Sequence, residues 1–97
     1  MIAVIFTAEV GELPQAYYKF ANEVRALADK YGCIDFISVS KKGKEISISY
    51  WDSQEKIQRW KQDPTHLKAQ ELGQQQWYKS YKVQVVDILR EYSHDST

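Results

Sequence analysis

An α+β fold with the element order β-α-β-β-α-β is what this sequence predicts. Three observations carry it: apolar residues at three-four spacing after Pro14, two β-type runs flanking a short turn at Gly43, and a valine-rich segment near the end. Ile2 to Thr7 is a continuous apolar, β-branched and aromatic run, the pattern of a strand covered on both faces. Gly11 and Pro14 then punctuate the chain. Beyond them Tyr17, Phe20, Ala21, Val24, Leu27, Ala28 and Tyr31 fall on one helical face, and Gly32 follows as the C-terminal cap.

Residues Cys33 to Ser40 and Glu45 to Trp51 read as two strands of a hairpin, joined by Lys41-Lys42-Gly43-Lys44. In the second of them Ile46, Ile48 and Tyr50 alternate with Ser47, Ser49 and Trp51, which gives the sheet one greasy face and one mixed face. Asp52, with Glu55 three residues on, matches an N-cap and capping box, and Ile57 and Trp60 follow at helical spacing. Asp63-Pro64 interrupts this helix and restarts it through Leu67, Ala69 and Leu72 to Gly73, so the pair is a kinked or broken helix. After Trp77, Tyr78 and Tyr81 the last strand runs through Val83, Val85, Val86, Ile88 and Leu89 to Tyr92. Its apolar residues change parity between Val85 and Val86, which predicts a bulge or two halves facing different neighbours. Residues 93–97 are expected to fray, leaving 1–92 as a single domain.

This order is the ferredoxin-like, split βαβ arrangement: a four-stranded antiparallel sheet with the helices on one face. Strands one, two and four carry apolar residues on both parities, so a second greasy face remains once the helices have covered the first. Two such sheets packed face to face would hide it, and a homodimer is expected. The length of 97 residues argues the same way, because so short a domain builds only a thin core by itself.

Thirteen basic and thirteen acidic residues cancel and are spread along the chain, so no footprint for a phosphate backbone exists and nucleic acid is not an expected partner. An RNA-binding role on this topology ranks last for the same reason. The start has no basic segment and reaches Glu9 too soon for a signal peptide or a membrane span, which predicts a cytoplasmic protein without a membrane partner. Cys33 is the one cysteine, with no second Cys or close His at ligand spacing. It reads as a small buried or edge residue, and no metal site is expected.

From Ser49 the chain reads SYWDSQEKIQRWKQDPTHLKAQELGQQQWYKSYKVQVVDILREY. The spacing of its Ser-Tyr-Trp-Asp-Ser start, Trp60-Lys61, His66, Ala69-Gln70, Gly73, Trp77-Tyr78, Tyr81 and valine-rich strand resembles the C-terminal half of antibiotic biosynthesis monooxygenase domains. The resemblance implies a dimeric α/β barrel of two ferredoxin-like sheets. In the heme-degrading branch, an Asn near the end of strand one, a Trp on the second helix and a His ten residues later form the site. Trp60 matches the Trp, but Gln70 stands at the His position and Phe6-Thr7-Ala8 contains no Asn, so heme is disfavoured and no cofactor is expected.

In the quinone-forming branch, the resemblance implies oxidation of polycyclic phenols by molecular oxygen, with the substrate carbanion itself as reductant. Such chemistry needs a dry pocket, a base and aromatic walls. The candidate pocket residues are Trp60, Tyr50, Trp51, Gln70, Trp77, Tyr78 and Tyr81; Tyr50 and Trp51 point to opposite faces of a regular strand. His66 is the candidate base. At the third position of the helix after Asp63 it feels the positive end of the helix dipole, which favours the neutral imidazole that accepts a proton. The same position would also let it bond Asp63 or a turn carbonyl in a structural role. The expected function is thus a cofactor-independent monooxygenase for a small hydrophobic or aromatic molecule. The alternatives are a non-catalytic ligand-binding or stress-response dimer, and an atypical heme protein using His66.

Overall fold

The apolar opening run forms strand β1, Ile2–Val10, and it lies inside the sheet, which is why it is apolar on both parities. A computed structural model describes residues 1–96. Around β1 stand helix α1 (Gln15–Lys30), strands β2 (Asp35–Lys41) and β3 (Lys44–Trp51), helices α2 (Gln54–Gln62) and α3 (Pro64–Leu72), a π-helical turn at Gly73–Trp77, and strand β4 (Tyr78–Asp87). The strands form one antiparallel sheet in the order β2-β3-β1-β4, which is the predicted ferredoxin-like fold.

Helix α1 ends where glycine allows it. Gly32 takes φ +100°, and the Cys33 N–H turns back to the Ala28 carbonyl at 2.9 Å. The hairpin turn is tighter than predicted, because β2 and β3 pair up to Lys41 and Lys44 and leave only Lys42 and Gly43, both at positive φ. Helix α2 starts one residue later than the capping-box reading. Ser53 is the N-cap, its Oγ accepting from the Lys56 N–H at 3.3 Å, while Asp52 pairs with Lys56 Nζ at 3.0 Å. At Asp63 the backbone is extended, and the carboxylate accepts from the Thr65 N–H at 2.9 Å and from the Tyr31 hydroxyl at 2.8 Å. This corner therefore ties the end of α1 to the start of α3.

Strand β4 differs from prediction in two ways. Its bulge lies at Lys79, between the pairs Glu9 with Ser80 and Val10 with Tyr78, while the ladder runs unbroken through Val85 and Val86. The strand also stops at Asp87, whose partner is Ile2, and Ile88 donates to the Met1 carbonyl at 3.0 Å just beyond the ladder. Residues 88–96 form no helix or strand, and Leu89 and Tyr92 are 94% and 81% exposed. Thr97, the last residue of the predicted fraying tail, lies outside the described residues.

Directly paired residues share a face of the sheet, so the register sorts every strand position. One face carries Val4, Val85, Ser49 and Phe36 in one row and Phe6, Val83, Ser47 and Ser38 in the next. The helices lie on this side, where Trp51, Trp60, Ile57, Ala28 and Val4 form the core. Trp51 is fully buried and its indole N–H donates to Ser49 Oγ at 2.8 Å, while the Trp60 indole donates to the Val24 carbonyl at 3.0 Å. The opposite face carries Ile5, Ile37 and Ile48 in one row and Val39 and Ile46 in the next, and no helix among the described residues covers it. The serine-bearing parity of β3 is thus the one beneath the helices.

Candidate active site

A cavity of about 230 Å³ lies between α1, α3 and the sheet. Its floor is the inner parity of β2 and β3, with Ser38, Ser47, Ser49 and Glu45 projecting into it, and Ser38 and Ser47 hydroxyls are 3.2 Å apart across the strands. Its walls are aromatic. Trp77 stacks on Tyr17 at 5.3 Å, Phe6 packs on Tyr78 and Tyr81 at 5.3 and 6.0 Å, and Trp60 and Phe36 close the other end. This explains why α1 is only half-buried along its apolar stripe: Phe20 and Ala21 look into the cavity instead of onto packed side chains.

His66 comes from the first turn of α3 and stands edge-on to Trp60 at 4.5 Å. Its Nδ1 is sealed from solvent and has no hydrogen-bond partner, so neither Asp63 nor a turn carbonyl holds it. Burial, reinforced by the Lys61 ammonium and opposed by the backbone and Asp63, holds the imidazole below its ordinary value. The neutral form of the ring is favoured, and its Nδ1 has no partner. At the hairpin end, Glu45 Oε2 is also sealed and unpartnered, and burial pushes this carboxyl up. Among the described residues these two atoms are the buried side-chain polar atoms without partners, and both belong to residues lining this cavity. Burial, together with the Glu45 and Tyr81 charges, also pushes the Tyr78 phenol up, so it stays a neutral wall residue.

Of the predicted pocket residues, Trp60, Gln70, Trp77, Tyr78 and Tyr81 line the cavity together with His66. Tyr50 and Trp51 do not. Tyr50 lies on the uncovered face, paired with Ala3 and Asp35, and Trp51 is spent in the core beside Trp60. The sequence reading missed Glu45, Ser38, Ser47, Asn22 and Arg25, all of which line the cavity. Arg25 sits over the Phe36 ring at 5.2 Å and donates to the Phe36 carbonyl at 2.8 Å, which fixes it at the rim. Glu45 shares its parity with Ser47 and Ser49, so the strand alternation groups them; the alternation alone does not say which face the helices cover. Cys33 stays outside the site, half-buried, with burial pushing its thiol up.

Residues 1–72 match the family described as antibiotic biosynthesis monooxygenase. The chain belongs to the antibiotic biosynthesis monooxygenase family. The match takes in the N-terminal half, where the sequence shows only a general pattern, and stops short of the segment from Gly73 onward. Among curated relatives, this family member is 36% identical over 91 residues to the uncharacterized protein YqjZ of Bacillus subtilis (strain 168), covering 92% of this chain and 80% of that one. Among solved structures it resembles SnoaB, a cofactor-independent oxygenase from Streptomyces nogalater, with TM-score 0.79 at 9% identity over 96% of this chain and 97% of the other. NE2512, a protein of unknown function from Nitrosomonas europaea, gives TM-score 0.72 at 12% identity, over 98% and 95% of the two chains. At such identities these structures share the fold.

Gln70, at the position where the resemblance sets the ligand histidine of the heme-degrading branch, lines the cavity, and an amide is a poor ligand for heme iron. The cavity is also smaller than the roughly 300–1,000 Å³ of sites for drug-sized molecules. No helix among the described residues is long and apolar enough to cross a membrane, and no group of three or more potential metal ligands occurs among them.

Proposed function

We propose that this family member is a cytoplasmic, cofactor-independent monooxygenase in which His66 acts as general base on a compact aromatic substrate held in the cavity. One observation carries the reading: an unpartnered imidazole nitrogen, kept neutral by burial, in an aromatic-walled cavity. An orphaned buried acceptor costs about 1–3 kcal/mol, which a structural histidine would avoid by finding a donor. A phenol or an acidic ring carbon supplies the missing proton. The resulting anion transfers electrons to molecular oxygen. In oxidation of an anthrone-type methylene, one oxygen atom becomes the new ring carbonyl and the other leaves as water with the two hydrogens lost from carbon. The protein binds, orients, excludes water and moves the first proton; Trp60, Trp77, Tyr78, Tyr81 and Gln70 supply the walls.

The working unit on this reading is a homodimer built through the uncovered face, with residues 88–92 of the expected 1–92 domain lying beyond the last strand. Ile37 and Val39 are 45% and 57% exposed in the single chain, and they join Ile5, Ile46 and Ile48 in one apolar surface. Surfaces of this kind are usually covered. A second copy suits it because the face is apolar and carries both signs at its rim, Asp35 on β2 and Lys82 on β4.

The test is oxygen consumption with an acidic phenol or anthrone by colourless purified protein. General-base help is worth about 100- to 10,000-fold, so His66→Gln should lower turnover by about two orders of magnitude while leaving the circular dichroism spectrum unchanged. Because the imidazole is held below its ordinary value of about 6.5, the acid limb of kcat/KM should fall below that pH. Rates equal to buffer for wild type and variant alike would leave a non-catalytic ligand-binding module as the better account.

A further inference from the structure

Glu45 is the group that the proposed chemistry does not use. It lies on the cavity floor at the end opposite Trp60 and His66, with Oε1 only weakly engaged by the Ser40 hydroxyl at 3.5 Å and Oε2 buried with no partner. Carboxylates placed for solubility face water, and those placed for stability find donors. Neither applies here. The ammonium groups of the hairpin, Lys41, Lys42 and Lys44, form no ion pair with it. Tyr81, beside it on the wall, accepts from the Gln74 amide at 2.7 Å and makes no hydrogen bond to Glu45 among the described residues.

The two ends of the cavity therefore match in kind. Each presents one sealed acceptor without a donor, and aromatic rings lie between them. Phe36, which packs on Trp60 at the His66 end, is paired with Ser49, four residues along β3 from Glu45. The two ends are therefore set apart along the floor, and a ligand that meets both carries a donor at each end, as two fused aromatic rings with hydroxyls at opposite ends do.

We propose that Glu45 is a specificity-determining anchor that accepts a hydrogen bond from a second hydroxyl of the bound aromatic, so that the preferred ligands are aromatic diols with donors at both ends. This rests on the reading of the cavity as an aromatic-ligand site, but not on His66 being a base. Burial raises the cost of leaving the carboxylate bare, which adds to the preference for a donor.

Isothermal titration calorimetry with naphthalene-2,6-diol and 2-naphthol tests it directly, using wild type, Glu45→Leu and the near-isosteric Glu45→Gln, each checked for folding. Wild type should prefer the diol by about tenfold, the worth of a hydrogen bond to a charged group. Glu45→Leu should bring the diol to the level of 2-naphthol and leave 2-naphthol unchanged, and Glu45→Gln, whose amide oxygen still accepts, should fall between. Equal affinities in wild type, a preference surviving in Glu45→Leu, or no binding of either compound would overturn the proposal. Oxygen uptake measured in parallel separates the two ideas: Glu45-dependent binding without turnover sinks the oxygenase reading alone, and turnover indifferent to Glu45 sinks this one alone.

Discussion

Between Glu45 and Tyr50 strand β3 inverts the usual rule that polar residues face out and apolar residues face in. On β3 the inward residues are Glu45, Ser47 and Ser49, and the outward ones are Ile46, Ile48 and Tyr50. Beneath the helices Ser49 accepts from the Trp51 indole and Ser38 and Ser47 bond each other at the cavity floor, whereas Ile37 and Ile46 on the far face are left exposed. On the proposed reading the mixed face serves the cavity and the greasy face serves the dimer.

Charging the outer face should produce the largest effect. Ile48→Asp places a carboxylate at the centre of that surface, between Ile37 and Ile5, where a dimer would bury it unpaired. Association should weaken by roughly 100- to 1,000-fold or more, seen as a shift from twice the 11.4 kDa chain mass toward one in sedimentation. An unchanged mass, or a wild-type monomer, would break the comparison.

On the inner face a smaller change should destabilise the fold itself. Ser49 is 2% exposed and accepts from the Trp51 indole, so Ser49→Ala leaves that N–H buried and unpaired at a cost of about 1–3 kcal/mol in urea unfolding. Ile48→Ser, one residue away but outward, should leave the unfolding free energy of a monomeric background within about 0.5 kcal/mol. Equal effects would mean that the faces have been misassigned.

Gly73→Ala probes the wall. This glycine has ordinary helical angles, so its backbone would accept alanine. A methyl group there would overlap the Tyr78 ring. The ring must move, at about 1–3 kcal/mol of overpacking, partly offset by about 1 kcal/mol from the better helix propensity of alanine. Ligand affinity should drop more than thermal stability, because Tyr78 lines the cavity.

The smallest effect is expected at the corner that carries His66. Tyr31→Phe removes the hydrogen bond to Asp63 that joins α1 to α3, lowering the thermal midpoint slightly at neutral pH. The Tyr31 hydroxyl and the Thr65 amide hold the Asp63 carboxyl below its usual range, so its contribution is present above the unfolded-state value and lost as pH falls through the folded one. The gap between wild type and variant should therefore close on acidification, and a gap that widens would contradict the assignment.

Local pattern was enough to determine the element order, the broken second helix at Asp63-Pro64, the glycine cap at Gly32 and the grouping of β3 into two parities. Each depends on neighbours within a few residues, where spacing and propensity act directly. The resemblance carried by Trp60, His66, Gln70, Trp77, Tyr78 and Tyr81 likewise picked out residues that line one cavity. Tertiary structure decided the rest. Nothing in the alternation Ile-Ser-Ile-Ser-Tyr-Trp says which parity meets the helices; that depends on the right-handed docking of α1 and α3 onto the sheet, a long-range choice. Trp51 could not be told from a pocket wall until the Ser49 hydroxyl and Trp60 claimed it for the core, and Glu45 could not be told from a surface carboxylate until the sheet, Tyr78 and Tyr81 enclosed it. Side-chain chemistry is written locally, but burial, which gives His66 its free nitrogen and Glu45 its raised carboxyl, arises only when distant segments meet.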